Sequence, residues 1–178
     1  MHCSHKNYMH FSVILLILQK KEYMEIAQFS NLSDEEKELM MNTPALVTVL
    51  LAGVDGEIDM TEEEQANRLV HIRATTGDPI LFDFFKLLES EFNTQLSVMN
   101  GKYMNFEKEV RVQEITEELS KLNDILPKLD PLFARAFLKS MRSFAGSVAE
   151  STGGILGFLS VSFDEKQLIG LEMITYEP

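Results

Sequence analysis

Residues 45–51 read Ala-Leu-Val-Thr-Val-Leu-Leu, apolar on every side except at Thr48. A helix with no polar face has to lie at the centre of a core, with other elements packed around it. Thr43-Pro44 supplies a start for that helix. Thr is placed to cap it, and Pro occupies the first helical position, where its missing amide is not needed. The apolar stretch continues to Val54 and then meets the most acidic corner of the chain: Asp55, Glu57, Asp59, Glu62, Glu63 and Glu64.

From Leu32 onward the helical period dominates. Ser33 and Glu36 have capping-box spacing and open a short helix to about Met41. Thr61 and Glu64 repeat that spacing after the acidic turn, opening a helix to about Ala74. Thr75-Thr-Gly-Asp78 breaks it, and Asp78-Pro79 starts the next. That helix carries the stripe Leu81, Phe85, Leu88, Phe92, Leu96 and Met99 and stops at Asn100-Gly101. A charged helix follows, with Phe106, Val110, Ile115, Leu119, Leu122 and Leu126 as its apolar side. Its charged faces are read as solvated. Asp130-Pro131 opens a last long helix to about Glu150, striped by Phe133, Phe137, Met141, Phe144 and Val148. No alternating strand pattern occurs. The expected fold is all-α, one bundle of about seven helices around the central apolar helix.

The acidic turn is the candidate site. Asp55-Gly56 is a turn signal, and Glu62 and Glu63 suit the first turn of a helix, where the dipole favours negative charge. An EF-hand register fails. With Gly56 as the central glycine, Leu51 and Gly53 fall at ligand positions; with Asp55 first, Met60 and Ala66 displace the glycine and the closing glutamate. A simpler oxygen-ligand site for Ca²⁺ or Mg²⁺ remains open, built on Asp55, Glu57, Asp59, Glu62 and Glu63. A weak internal echo extends it. Near the C-terminus an apolar helix ends at Glu150, a glycine turn follows, and Ser162 and Glu165 form another capping box. In a pseudo-symmetric bundle Glu150, Asp164 and Glu165 are placed to complete the ligand set. The other reading of the same turn is a capped, solvated corner.

The 178 residues carry a formal charge of −12. That argues against nucleic acid as a direct partner and suits cations or basic protein surfaces. The lone Cys3 excludes an intramolecular disulfide. Residues 1–23 look foreign to the remainder. They hold three of the four histidines and the apolar run Phe11 to Leu18, too short to span a bilayer. His2, Cys3, His5 and His10 match no zinc spacing. Met24 is a plausible true start, so the domain is expected at 24–178. Outside this extension His71 is the sole histidine, on a helix beside Arg68 and Arg73, where a surface role is expected. A Cys-His pair is absent, and the chain is read as non-enzymatic. A metal-assisted hydrolase with an all-carboxylate ligand set is the remote alternative.

Ala52-Gly-Val-Asp-Gly-Glu-Ile-Asp59, set between an apolar helix and a Glu-rich helix start, resembles the tellurite-resistance TerB family. TerB-like domains also occur in membrane-anchored DnaJ-type co-chaperones. The resemblance spans about Leu32 to Ile174. It is strongest at Ala52 to Glu64 and at Lys121-Leu-Asn-Asp-Ile-Leu-Pro-Lys-Leu-Asp130. Asp55, Gly56 and Glu57 match the family's acidic motif. Val54 stands where alanine is usual, and the second turn lacks an Asp-Gly pair. The resemblance implies an all-helical domain of two related halves and an acidic, metal-binding surface. It also implies a cytoplasmic stress role exerted through protein partners, such as a membrane complex at its cytoplasmic face, without insertion into the membrane. A metal-independent acidic adaptor, or a co-chaperone-like interaction domain, is the alternative within the same fold.

Overall fold

The computed structural model describes residues 26–51, 58, 60–103, 105–151 and 165–177. Its long helices are α1 (Asp34–Leu51), α2 (Met60–Thr76), α3 (Phe82–Tyr103), α4 (Lys108–Ser120) and α6 (Pro131–Ser151). Two short ones are α5 (Leu122–Ile125) and α7 (Glu165–Ile169). No strand occurs among the described residues, and the all-α expectation holds. Nor is any described helix long and apolar enough to cross a membrane.

The bundle is organised around α1, which packs against α3, α4, α5, α6 and α7. Every residue from Thr43 to Leu51 is buried. One expectation is corrected here. The chain does not break between Met41 and Thr43; α1 runs unbroken through Pro44. Proline inside a helix costs about 3 kcal/mol, because the carbonyl four residues back loses its donor. Burying a large aliphatic side chain returns about 1.5–3 kcal/mol. Leu46, Val47, Val49, Leu50 and Leu51 are all buried just beyond the proline, so burial wins. The two buried hydroxyls are satisfied locally. Thr43 Oγ1 donates to the Leu39 carbonyl at 2.8 Å and Thr48 Oγ1 to the Pro44 carbonyl at 2.8 Å.

The capping box at the head of α1 forms as expected. The Ser33 amide donates to Glu36 Oε2 at 2.9 Å, and the Glu36 amide to Ser33 Oγ at 3.3 Å. Lys128, from the turn after α5, also donates to Glu36. The second box is not adopted: α2 begins at Met60, which puts Thr61 inside its first turn. The third, at Ser162, lies outside the described residues. The internal echo compares the turn after Val54 with the glycine turn after Glu150, and most of both turns lies outside the described residues too.

α2 runs to Thr76, two residues beyond the expected end at Ala74. Thr75 and Thr76 donate back to the carbonyls of His71 and Ile72 at 3.0 and 2.9 Å. Gly77 then closes on the Arg73 carbonyl at 3.1 Å. A Cβ at Gly77 would lie 2.3 Å from that oxygen, so no other residue fits without a shift. Asp78 accepts from the Ile80 amide at 3.0 Å and caps the Pro79–Leu81 turn that leads into α3. The resulting hairpin brings His71 opposite Glu89.

Two further expectations change. α3 does not stop at Asn100-Gly101 but continues to Tyr103. A glycine in a helix costs about 1 kcal/mol against alanine, less than burying Tyr103 returns. Phe106, just before α4, and Val110 on it are exposed, and Val112 faces inward. The interval from Val110 to Ile115 does not fit one helix face. Val112, Ile115, Leu119, Leu122 and Leu126 are spaced three and four apart, and the last four of them are fully buried. The α6 stripe is buried as expected. Asp130 caps α6 by accepting from the Leu132 and Phe133 amides at 2.9 and 3.1 Å. Phe29, Phe84, Phe133 and Phe137 meet edge to face, joining the Ala27–Phe29 turn to α3 and α6.

The C-terminal segment is clamped from two sides. Arg142 donates to the Gly170 and Ile174 carbonyls, both at 3.1 Å. Asn123 donates to the Met173 carbonyl at 2.9 Å and accepts from the Thr175 amide at 2.7 Å. Leu171, at φ 48°, takes the left-handed position that ends α7. The Glu172 amide reaches the Gln167 carbonyl and the Leu171 amide the Leu168 carbonyl, the paired bonds of a Schellman end. Burial of the Leu171 side chain offsets the strain of that φ.

Two outcomes follow. Asn123→Ala removes a side chain that bonds four groups: the Ser120 and Met173 carbonyls and the Thr175 amide and hydroxyl. It is expected to cost about 1–3 kcal/mol in urea unfolding and to release the 165–177 backbone to hydrogen exchange first. Lys128 holds the Glu36 carboxyl below the usual carboxylate range, with help from the Ser33 amide. A depressed carboxylate stabilises the fold above its unfolded pKa and loses that effect as pH falls through its folded one. The stability difference between wild type and Lys128→Met is therefore expected to be present at neutral pH and to close below about pH 4.

Candidate functional site

Of the carboxylates expected to form the acidic site, Asp55, Glu57, Asp59 and Asp164 lie outside the described residues. Glu62 and Glu63 sit in the first turn of α2, the former half-buried and the latter exposed. Glu150 is exposed in the last turn of α6, and Glu165 is the first residue of α7. Among the described residues no three carboxylate, histidine or cysteine side chains converge as metal ligands would. His2, Cys3, His5 and His10 also lie outside the description.

His71 lies on the outer face of the α2–α3 hairpin with its side chain 64% exposed. Its Nδ1 is 2.5 Å from Glu89 Oε1, and Lys86 Nζ approaches the other carboxylate oxygen at 3.5 Å. The His71 hydrogen bond, ahead of the Lys86 charge, holds the Glu89 carboxyl below the usual range. This is a surface pairing between neighbouring helices, in line with the sequence expectation for His71.

A groove of about 200 Å³ opens between α1, α3 and α4. From α1 come Glu35, Glu38, Leu39, Asn42 and Leu46, which share a helix face at spacings of three and four. Met99, Lys102 and Tyr103 line it from α3 and Glu118 from α4. The floor is apolar: Leu39, Leu46 and Tyr103 are buried. Around it stand three carboxylates and one ammonium. That ammonium, Lys102 Nζ, lies 4.8 Å from the centroid of the Tyr103 ring. The hydrogen bond to Tyr103 raises the Lys102 pKa most, against the opposing effect of burial, with added attraction from Glu118 and Glu114. Glu118 also pairs with Lys121 at 2.7 Å.

This groove was hidden from the sequence by one misplaced helix end. A helix stopping at Asn100 has no place for Lys102 or Tyr103 on the groove wall. The signal that could have found it is the continuation of the α3 stripe: Phe92, Leu96, Met99 and Tyr103 are spaced four, three and four.

The sequence also concealed the buried polar groups of α3 and α4. Glu91 is only 4% exposed and accepts from Gln95 Nε2 at 3.2 Å. α3 packs against both α1 and α2, which widens its buried face beyond a single stripe and takes in Phe84, Glu91 and Gln95. Arg111 is buried on α4, and desolvation lowers its pKa. None of the three lines the groove.

Compared with known proteins, the chain matches no family model, no curated protein and no solved structure.

Proposed function

We propose that this protein is a non-enzymatic, TerB-like interaction module that acts in a stress response by docking on basic protein surfaces. The groove between α1, α3 and α4 carries the reading. It joins an apolar floor to a rim of Glu35, Glu38 and Glu118. With Lys102 the only base among three carboxylates lining it, the groove is acidic on balance, and an acidic surface steers basic partners toward it and disfavours acidic ones. The net charge of −12 points the same way over the whole chain. The groove offers recognition chemistry, and no catalytic step is assigned to it. The resemblance at Ala52 to Asp59 supports a cytoplasmic setting and a partner complex at a membrane face.

The acidic turn adds a second element to the proposal. Asp55, Glu57 and Asp59, with Glu62 and Glu63 in the first turn of α2, are oxygen donors of the kind that hard divalent cations prefer. Glu62 and Glu63 do not make a ligand set by themselves. An ion held there would stiffen the junction between α1 and α2.

Calorimetric titration of the full chain with Ca²⁺ and Mg²⁺, beside Asp55→Asn/Asp59→Asn, separates an ion-responsive module from an ion-independent one. Saturable binding that the double variant loses is the expected result. Heats no larger than dilution would remove the ion from the proposal and leave the acidic adaptor.

A further inference from the structure

We propose that the groove between α1, α3 and α4 receives a single lysine or arginine side chain presented by a partner protein, an inference that rests on the acidic-adaptor reading above. Size comes first. At about 200 Å³ the groove is smaller than the usual small-molecule pocket and suits one long side chain. Shape and polarity come next. Lysine and arginine carry an apolar stem beneath a charged head. The groove is lined by the apolar Leu39, Leu46 and Met99 together with the carboxylates of Glu38 and of Glu118, the latter already paired with Lys121. A stem on the apolar residues brings the head to the rim. An acidic side chain would meet like charge at the same rim, and a purely apolar one would leave the rim unused.

One cation of this chain already stands at the groove wall. Lys102 places its ammonium over the Tyr103 ring, beside Glu118. Opposite it, Glu38 makes no ion pair among the described residues, and it stands on the α1 wall where a second cation can be held. Anchoring one desolvated basic side chain in a small pocket is how many protein interfaces concentrate their affinity.

The test is an NMR titration of the full ¹⁵N-labelled chain with three end-blocked peptides: Gly-Ser-Arg-Ser-Gly, Gly-Ser-Lys-Ser-Gly and the citrulline form of the first. Citrulline keeps the length and removes the charge. Saturable amide shifts at Leu39, Leu46, Met99 and Tyr103 are expected with at least one basic peptide. The citrulline peptide is expected to bind at least about tenfold more weakly. Glu38→Gln/Glu118→Gln is expected to weaken the basic peptide by a similar factor, and the citrulline comparison stands should that variant fail to fold. Equal binding of the citrulline peptide would overturn the inference. Shifts confined to other acidic positions, such as the start of α2, would also overturn it while leaving the adaptor reading intact. No shift anywhere with either basic peptide would overturn both.

Discussion

Burial of α1 across Pro44 is the constraint on which the other helices depend. The helix breaks one of its own backbone bonds at the proline and keeps two threonine hydroxyls within the core. It persists because nearly all of its C-terminal half is removed from water. Five other helices pack against α1. The N-terminal half differs. There Glu35 and Glu38 reach solvent while Leu39 remains on the core side. One helix therefore supplies both the centre of the bundle and one wall of its acidic groove.

The opposite wall depends on a balance of small energies. α3 crosses Asn100-Gly101 because Tyr103 gains more from burial than the glycine loses in helix propensity. That extra turn carries Lys102 and Tyr103 to the groove. The proposed docking groove and the packing thus share a residue: Tyr103 is buried in the core and also lines the groove.

Much of the fold was legible in the residues. The Ser33–Glu36 box, the Asp78-Pro79 and Asp130-Pro131 caps, and the Phe and Leu stripes of α3 and α6 are local patterns with local causes. What the sequence concealed was tertiary. Pro44 and Gly101 are breakers in an isolated helix, and only burial overrides them. Phe106 and Val110 are apolar, but their spacing to Ile115 leaves them outside the inward face. Glu91 is charged in sequence and buried in fact, because α3 has neighbours on two sides. The candidate site divides in the same way. Glu62 and Glu63 fall in the first turn of α2 as their acidity suggests. The groove needed three helices to be placed together before it existed.

α1 is expected to be the last element to come apart. Native-state hydrogen exchange measures it residue by residue. The amides of Val47 to Leu51 are expected to exchange only through global unfolding, with the same free energy that urea denaturation gives. Exchange of those amides ahead of the buried stretches of α3 and α6 would contradict it, and would move the structural centre of the bundle away from α1.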